Sequence, residues 1–385
     1  MRADGAPFAL YVHVPWCRHV CPYCDFNVYA SAEPPEAPYV EALATELATR
    51  AQSAPWQGRT LRSVYLGGGT PSLLSVEAVA KVIDAAARAF GLAPGAEVSI
   101  EANPGGLAVE RLSGYRGAGV TRLSLGAQSF TPTHLRTLGR DHTVEDIAAA
   151  VGAAREAGFD NVSLDLIFGV PGCTVTEWEA DLAAALALRP PHVSAYSLTY
   201  EEATPFFAWR AKGRIASVGE DDEAAMAEAT GDALEAAGLA RYEISSWARP
   251  GYESRHNLAY WDGSDYLGIG AGAHSYAHAP AWGRRWSNER IPERYIAAVD
   301  RGDAVASSET LSFDMAAAEF LFLGLRESDG VDPDVFARRF GRTLDDVHPE
   351  IVGYRADGFL EERAGRLALS ERGLLVADSI FASFL

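Results

Sequence analysis

The chain lacks several features that would assign it to large protein classes. No run approaches the ~18 apolar residues that a membrane-spanning helix needs. Met1–Leu10 lacks the apolar stretch of a secretory signal. Cysteine is scarce, with four among 385 residues. Scarce cysteine and no export signal together predict a reducing, cytoplasmic setting. Basic residues are outnumbered, 33 against 52 acidic ones, for a net charge of −19. That balance excludes global attraction to nucleic acid or anionic lipid and leaves only a local basic groove as a route to either. There is no internal repeat and no low-complexity tract beyond the Pro-rich Glu33–Pro38. What remains is ordinary for a soluble globular protein, 48% hydrophobic and 22% charged. The length suits one large domain and a smaller one.

The apolar pattern alternates between short β-rich runs and longer Ala-rich helical ones. Strands are expected near Phe8–Val14, Ser63–Leu66, Glu97–Glu101, Arg122–Leu125, Asn161–Ile167 and His192–Ser197. Helices are expected near Tyr39–Gln52, Val76–Phe90, Ala108–Arg116, Val144–Ala157, Thr176–Leu188 and Glu220–Ala237. Ser75, Thr143 with Asp146, and Thr176 with Glu179 stand at helix starts as candidate caps. Strands separated by helices of this size predict βαβ units and a parallel α/β sheet. Six units are too few for a closed eight-fold barrel.

The pattern changes near Ser307. Helices are expected at Met315–Arg326, Asp334–Phe340 and Leu344–Arg355, then a hairpin of Phe359–Glu362 and Arg366–Ala368, then a last helix from Ser370. The expected division is therefore 1–306 and 307–385, the second part being helical and winged-helix-like. Residues 304–385 carry eight arginines, no lysine and fifteen acidic residues. A cover for the larger domain or a protein-binding role fits that charge better than DNA.

Three of the four cysteines, Cys17, Cys21 and Cys24, sit within eight residues. Thiols crowded in this way read as metal-binding or catalytic. A zinc site of three Cys with His13 or His19 is one reading. Structural zinc sites usually pair two knuckles far apart in sequence, and only one is present. The other reading is a [4Fe–4S] cube with three irons held by thiolates and the fourth open, since four Cys ligands would close it. Cys173 stands alone in Pro171-Gly172-Cys173-Thr174 and reads as a small buried apolar residue.

In parallel barrels the functional groups come from the C-terminal ends of strands. Gly67-Gly68-Gly69-Thr70-Pro71 follows the second expected strand, where glycine permits close backbone approach or simply a tight turn. Glu101 ends the third, and Gln128 and Ser129 end the fourth. Asp165 lies inside the apolar fifth strand, where burial without a partner is costly, so it is either functional or held in a structural hydrogen bond or ion pair. Arg140 could grip a carboxylate bidentately or simply lead an exposed helix.

Tyr11-Val12-His13-Val14-Pro15-Trp16-Cys17, the Cys loop, Gly67–Pro71, Gly126–Phe130, Leu138–His142 and the stretch around Asp165 occur in an order that resembles the radical S-adenosylmethionine (SAM) superfamily, in its coproporphyrinogen oxidase-like branch. The resemblance covers nearly the whole chain. It implies a partial (β/α)6 barrel with a [4Fe–4S] cluster on Cys17, Cys21 and Cys24, and SAM on the open iron. It places Tyr11, Gly68 and Glu101 at SAM contacts. Tyr23, Gly69, Thr70, Gln128, Arg140, Asp165 and Thr199 fall where the oxidase contacts a second SAM.

Two activities occur in that branch. The oxygen-independent coproporphyrinogen III oxidase usually ends its cluster motif Cys-x-Cys, whereas here Cys24 is followed by Asp25-Phe26. The haem-chaperone members share the Cys-Asp-Phe ending and a His-Asn-x-x-Tyr-Trp motif, present here as His256-Asn257-Leu258-Ala259-Tyr260-Trp261. The resemblance implies haem contact by His256, Asn257, Tyr260 and Trp261, an electron donor for the cluster and a haem-acceptor protein. Imidazole is a good axial ligand and aromatic faces suit a porphyrin, although a core His among aromatics gives the same pattern. The Gly-rich Tyr266–Ser275 could bring backbone close to SAM or haem, with His274 as a second candidate.

Overall fold

The computed structural model describes residues 5–385. Six strands, Phe8–Val14, Leu61–Gly68, Leu92–Ala102, Arg122–Gln128, Asn161–Phe168 and His192–Ser197, lie side by side in chain order, each parallel to the next. Each is followed by at least one helix before the next element of the sheet. This is the expected (β/α)6 arrangement, and it stays open. Beyond the first strand the sheet continues through Tyr266–Ile269, His274–Ala277, Arg284–Asn288 and Val305–Thr310. Beyond the sixth it ends in antiparallel Ser246–Ala248 and Ala240–Glu243.

Period-two alternation sorts the strand residues onto two faces. Val64, Leu66, Val98, Ile100, Leu123, Leu125, Leu164 and Val193 share the main core with Val79, Val82, Ile83, Ile147 and Leu182 of the surrounding helices. The alternate positions are polar: Ser63, Tyr65, Ser99, Glu101, Ser124, Ser163, Asp165, His192 and Ser194. The inner surface of the barrel is thus a lattice of hydroxyls, carboxylates and imidazoles.

Local chemistry sets the helix ends. Ser75 accepts from Ala78 N to start Val76–Phe90, and Gly91 stops it at φ 73°. Thr143 and Asp146 form a reciprocal box on Val144–Glu156. The box on Val175–Ala187 is Thr174 with Glu177. The expected pair Thr176 and Glu179 lies two residues inside that helix.

A second core gathers Leu311, Phe336, Phe340, Ile351, Leu360, Leu367 and Ile380. The strand Val305–Thr310 still pairs with the main sheet, so the expected division at residue 307 falls inside it. The single helix expected over Leu344–Arg355 is two, Leu344–Val347 and Glu350–Ala356. Pro349 lacks the N–H that continuity needs. The Leu360–Arg363 and Arg366–Leu369 hairpin completes the unit. Backbone bonds of 3.0 Å from Ile244 N to Arg326 O and from Ser328 N to Tyr242 O tie it to the barrel edge. Among the described residues no helix is long and apolar enough to cross a membrane.

Candidate functional site

Cys17, Cys21 and Cys24 lie on the loop after the first strand, all half-buried. The loop is pinned from both sides. Gly69 N donates to Val14 O and Thr70 N to Trp16 O, both at 2.8 Å. A Cβ on Gly69 would stand 2.5 Å from Trp16 O, so only glycine lets the two loops approach this closely. Farther along, His13 Nε2 meets Asn27 O at 2.9 Å and Asn27 Nδ2 donates to Ala271 O at 3.0 Å.

A chain of side-chain bonds encircles the thiols. Thr70 Oγ1 donates to Cys17 Sγ at 3.4 Å, and Asn103 Nδ2 donates to Thr70 Oγ1 at 3.3 Å. Arg140 binds Asn103 Oδ1 and Gly126 O through Nη2, and its Nη1 lies 3.5 Å from Cys21 Sγ. Among the described residues, the Nε of Arg140 is buried with no hydrogen-bond partner. Burial pushes the Cys24 thiol up to about 11 and raises that of Cys17. Holding these groups as thiolates therefore requires added positive charge, and Arg140 supplies part of it.

The spacing of the sulfurs tests which metal centre fits. Two thiolates on one tetrahedral zinc at about 2.3 Å stand about 3.8 Å apart. Among the described residues, the only three His, Cys, Asp or Glu ligand atoms within 4.8 Å of one another belong to His134, Cys173 and Glu177. The sulfurs of Cys17, Cys21 and Cys24 do not all lie within 4.8 Å of one another, and three thiolates on one loop fit three corners of a cube. Both suggested histidines have ring nitrogens engaged elsewhere. His13 uses its second ring nitrogen on Tyr11 Oη at 3.0 Å, and His19 Nε2 meets Gly139 O at 2.6 Å. Cys173 is buried as expected, and Glu177 beside it caps its own helix.

A second group of candidates sits inside the barrel beside the glycine turn. Glu101 accepts from Tyr65 Oη at 2.8 Å and from Gly68 N at 2.9 Å. Burial pushes its carboxyl up to about 7, against the pull of those two bonds. Tyr11 stacks on Tyr65 with ring centroids 6.2 Å apart. Asp165 accepts from Ser124 at 2.8 Å and Ser163 at 3.1 Å, while burial raises its pKa. Gln128 occupies the left-handed region at φ 66°, a strained conformation for a residue with a side chain. Its amide lies against Gly126, where a Cβ would come within 2.8 Å of Gln128 Nε2 and 3.4 Å of Arg140 Nη2. The Tyr23 ring packs 6.2 Å from Phe206. Thr199 is exposed beyond the sixth strand and makes no side-chain bond to this network. Nothing local in the sequence marks Tyr65 or Asn103 as a site residue. Asn103 lies two residues after Glu101, on the same strand-end segment.

The expected haem residues divide. His256 is buried, 1% exposed, with Ser63 Oγ 3.0 Å from Nδ1 and Tyr260 Oη 2.9 Å from Nε2. Its ring stacks on Tyr65 at 4.9 Å, and burial drives its pKa down to about 3. Both ring nitrogens are engaged within the protein in this arrangement. It braces the inner barrel. Asn257 bonds through its backbone N to Ser254 Oγ, as part of the helix cap. Tyr260 shares the inward face of the helix with His256, and Tyr260 and Trp261 also line a cleft against the C-terminal unit. The Gly-rich stretch also serves packing. A Cβ on Gly270 would lie 2.6 Å from His13 O, and one on Gly268 would overlap His274 O. His274 is exposed.

Comparison with known proteins places these features in context. The profile of the Radical SAM superfamily matches residues 11–185, and that of the HemN C-terminal domain matches 311–376. The Bacillus subtilis protein "Heme chaperone HemW" is 37% identical over 380 residues, covering 97% of this chain and 98% of its own. Its Escherichia coli namesake is 36% identical, covering 98% of each chain. The solved coproporphyrinogen III oxidase (HemN) of Escherichia coli superposes with a TM-score of 0.83 at 24% identity, over 100% of this chain and 91% of that one.

Proposed function

The chain belongs to the radical SAM superfamily, in the branch of its full-length HemW relatives, and from that premise we propose that it is a haem chaperone. It binds haem in the cytoplasm and delivers it to an acceptor protein. Kinship over the full length with curated haem chaperones carries this reading. The likeness to the oxidase, at 24% identity, concerns the fold.

In this reading Cys17, Cys21 and Cys24 would hold a [4Fe–4S] cluster served by an external electron donor, and Tyr11, Gly68 and Glu101 would hold SAM. Bound together, cluster and SAM supply one-electron chemistry. The chain's own residues set the conditions for it. Thr70 and Arg140 donate toward the cysteine sulfurs and offset their charge. Glu101 offers an acceptor inside the barrel, oriented by Tyr65 and Gly68. Gly69, Gln128, Asp165, Tyr23 and Thr199 line the approach around it. The barrel and its sheet, through the strand Val305–Thr310, carry these sites, and the C-terminal unit from Leu311 forms a cover over them.

The test is anaerobic reconstitution of the full chain, followed by parallel assays. Saturable haem binding without vinyl formation from coproporphyrinogen III is expected. Sustained vinyl formation with SAM and reductant would assign the chain to the oxidase instead.

A further inference from the structure

A tighter group of ligand-type side chains lies elsewhere on the same rim of the barrel. His134 belongs to the short helix Pro132–Thr137 after the fourth strand. Cys173 closes the turn after the fifth, held by its N–H to Val170 O at 2.8 Å. Glu177 stands in the first turn of the helix Val175–Ala187, where its box with Thr174 fixes the start. One ligand atom from each, an imidazole nitrogen, the thiol sulfur and a carboxylate oxygen, lies within 4.8 Å of the other two.

The surroundings of the three point to a cation. His134 is 4% exposed, and among the described residues neither ring nitrogen makes a hydrogen bond. Its Nε2 stands 3.8 Å from Glu177 Oε2, too far for one. A buried imidazole left without a partner is costly. Glu177 Oε2 accepts from Thr174 N and Oγ1, both at 2.9 Å, and its other oxygen is unbonded among the described residues. Asp181 lies one turn further along the same helix and is buried. Ser129 Oγ donates to it, as does Thr131 Oγ1 at 2.9 Å, but among the described residues no Lys or Arg pairs with it. Its charge acts on both Cys173 and His134. A buried carboxylate without a basic partner, beside a second carboxylate, leaves a local surplus of negative charge that a dication offsets.

The donor set selects the metal. Thiolate, imidazole and carboxylate are all zinc ligands, and three protein ligands leave a fourth tetrahedral position for water. Magnesium and calcium take oxygen ligands, so sulfur and nitrogen donors disfavour them. On a tetrahedral zinc with bonds of about 2.0–2.1 Å, a nitrogen and an oxygen stand about 3.3 Å apart. Rotation of the half-buried Glu177 side chain is enough to close the 3.8 Å pair to that spacing.

We propose that His134, Cys173 and Glu177 bind one zinc ion, with water as the fourth ligand and Asp181 as a neighbouring charge. On binding, Cys173 gives up its thiol proton to solvent and coordinates as the thiolate. The ion joins the turn after the fifth strand to the helix after the fourth. That helix runs on into Gly139 and Arg140, which meet His19 and Cys21 of the cysteine loop. The site thus steadies one wall around the thiols, and it is independent of the haem-carrying reading.

The test counts zinc by elemental analysis in the anaerobically reconstituted full chain after equilibrium dialysis against zinc chloride. The wild type is compared with His134→Gln, with Cys173→Ser, and with the triple variant Cys17→Ala/Cys21→Ala/Cys24→Ala. One zinc per chain is expected in the wild type and in the triple variant. Each single variant is expected to weaken zinc binding by about ten-fold or more, with iron and sulfide content unchanged. Cobalt then reports the ligands in the triple variant, where Cys173 is the one remaining cysteine. A thiolate-to-cobalt charge-transfer band is expected there. Its absence overturns the site even if a single variant fails to fold. Wild-type zinc affinity in both single variants, a triple variant that takes up no zinc, or a wild-type chain that takes up none overturns it as well.

Discussion

Replacing His256 with glutamine tests whether this residue braces the barrel. The imidazole is 1% exposed and bonded at both nitrogens, to Ser63 and Tyr260. Glutamine can keep one of these bonds and leaves a buried polar partner of the other unsatisfied, which costs about 1–3 kcal/mol. The pH dependence is more diagnostic. The folded value of about 3 lies below the 6.5 of an unperturbed imidazole, so the native state holds the neutral ring. Stability from this site is complete above pH 6.5 and is lost as pH falls toward 3. Each pH step below 6.5 removes about 1.36 kcal/mol, so the loss reaches about 1.4 kcal/mol by pH 5.5. Urea unfolding of reconstituted protein at pH 7.5 and pH 5.5 measures it. The wild type should lose that amount more than His256→Gln between the two pH values. Equal losses in the two proteins would refute the buried, neutral role. A large drop in haem affinity with unchanged stability would return His256 to the ligand site.

Three further outcomes follow from the site geometry. Glu101→Gln should weaken SAM binding about ten-fold, since hydrogen bonds to charged groups contribute about 1.5–3 kcal/mol. Wild-type affinity, measured by equilibrium dialysis, should fall as pH drops through about 7, where the carboxylate takes up its proton, and the variant should lose that dependence. Gly68→Ala should destabilise the chain by about 1–3 kcal/mol in urea, because Gly68 sits at φ 112° and a Cβ would lie 2.4 Å from the His13 ring. Asn103→Ala should lower the midpoint potential of the cluster with iron content intact, because Asn103 links Thr70 to Arg140 and both donate to cysteine sulfurs; an unchanged potential would leave it a structural residue only.

Much of the barrel is legible in sequence because its signals are local. Phe8–Val14 is a mostly apolar run and His192–Ser197 an alternating one, and both strands lie where the pattern puts them. Val76–Phe90 is bounded by a serine cap and a glycine stop. The cap at Thr174 is harder to read, because Thr174 and Thr176 both stand three residues before a glutamate and only packing chooses between them. The cluster loop is evident from three cysteines. Its supporting ring is not, since Asn103 and Arg140 meet only when two strand ends become neighbours. The direction in which His256 points is likewise hidden. The motif names the residues on the helix, and the contact with Ser63, 193 positions away in the chain, decides which of them turn inward.

The most direct test of the account is electron paramagnetic resonance of the reduced, reconstituted protein, with and without SAM. Cubane-type signals whose g-values change on adding SAM, and which vanish when Cys17, Cys21 and Cys24 are replaced by alanine, are expected. A spectrum indifferent to SAM, or one that survives loss of the three thiols, would contradict the site on which the functional reading rests.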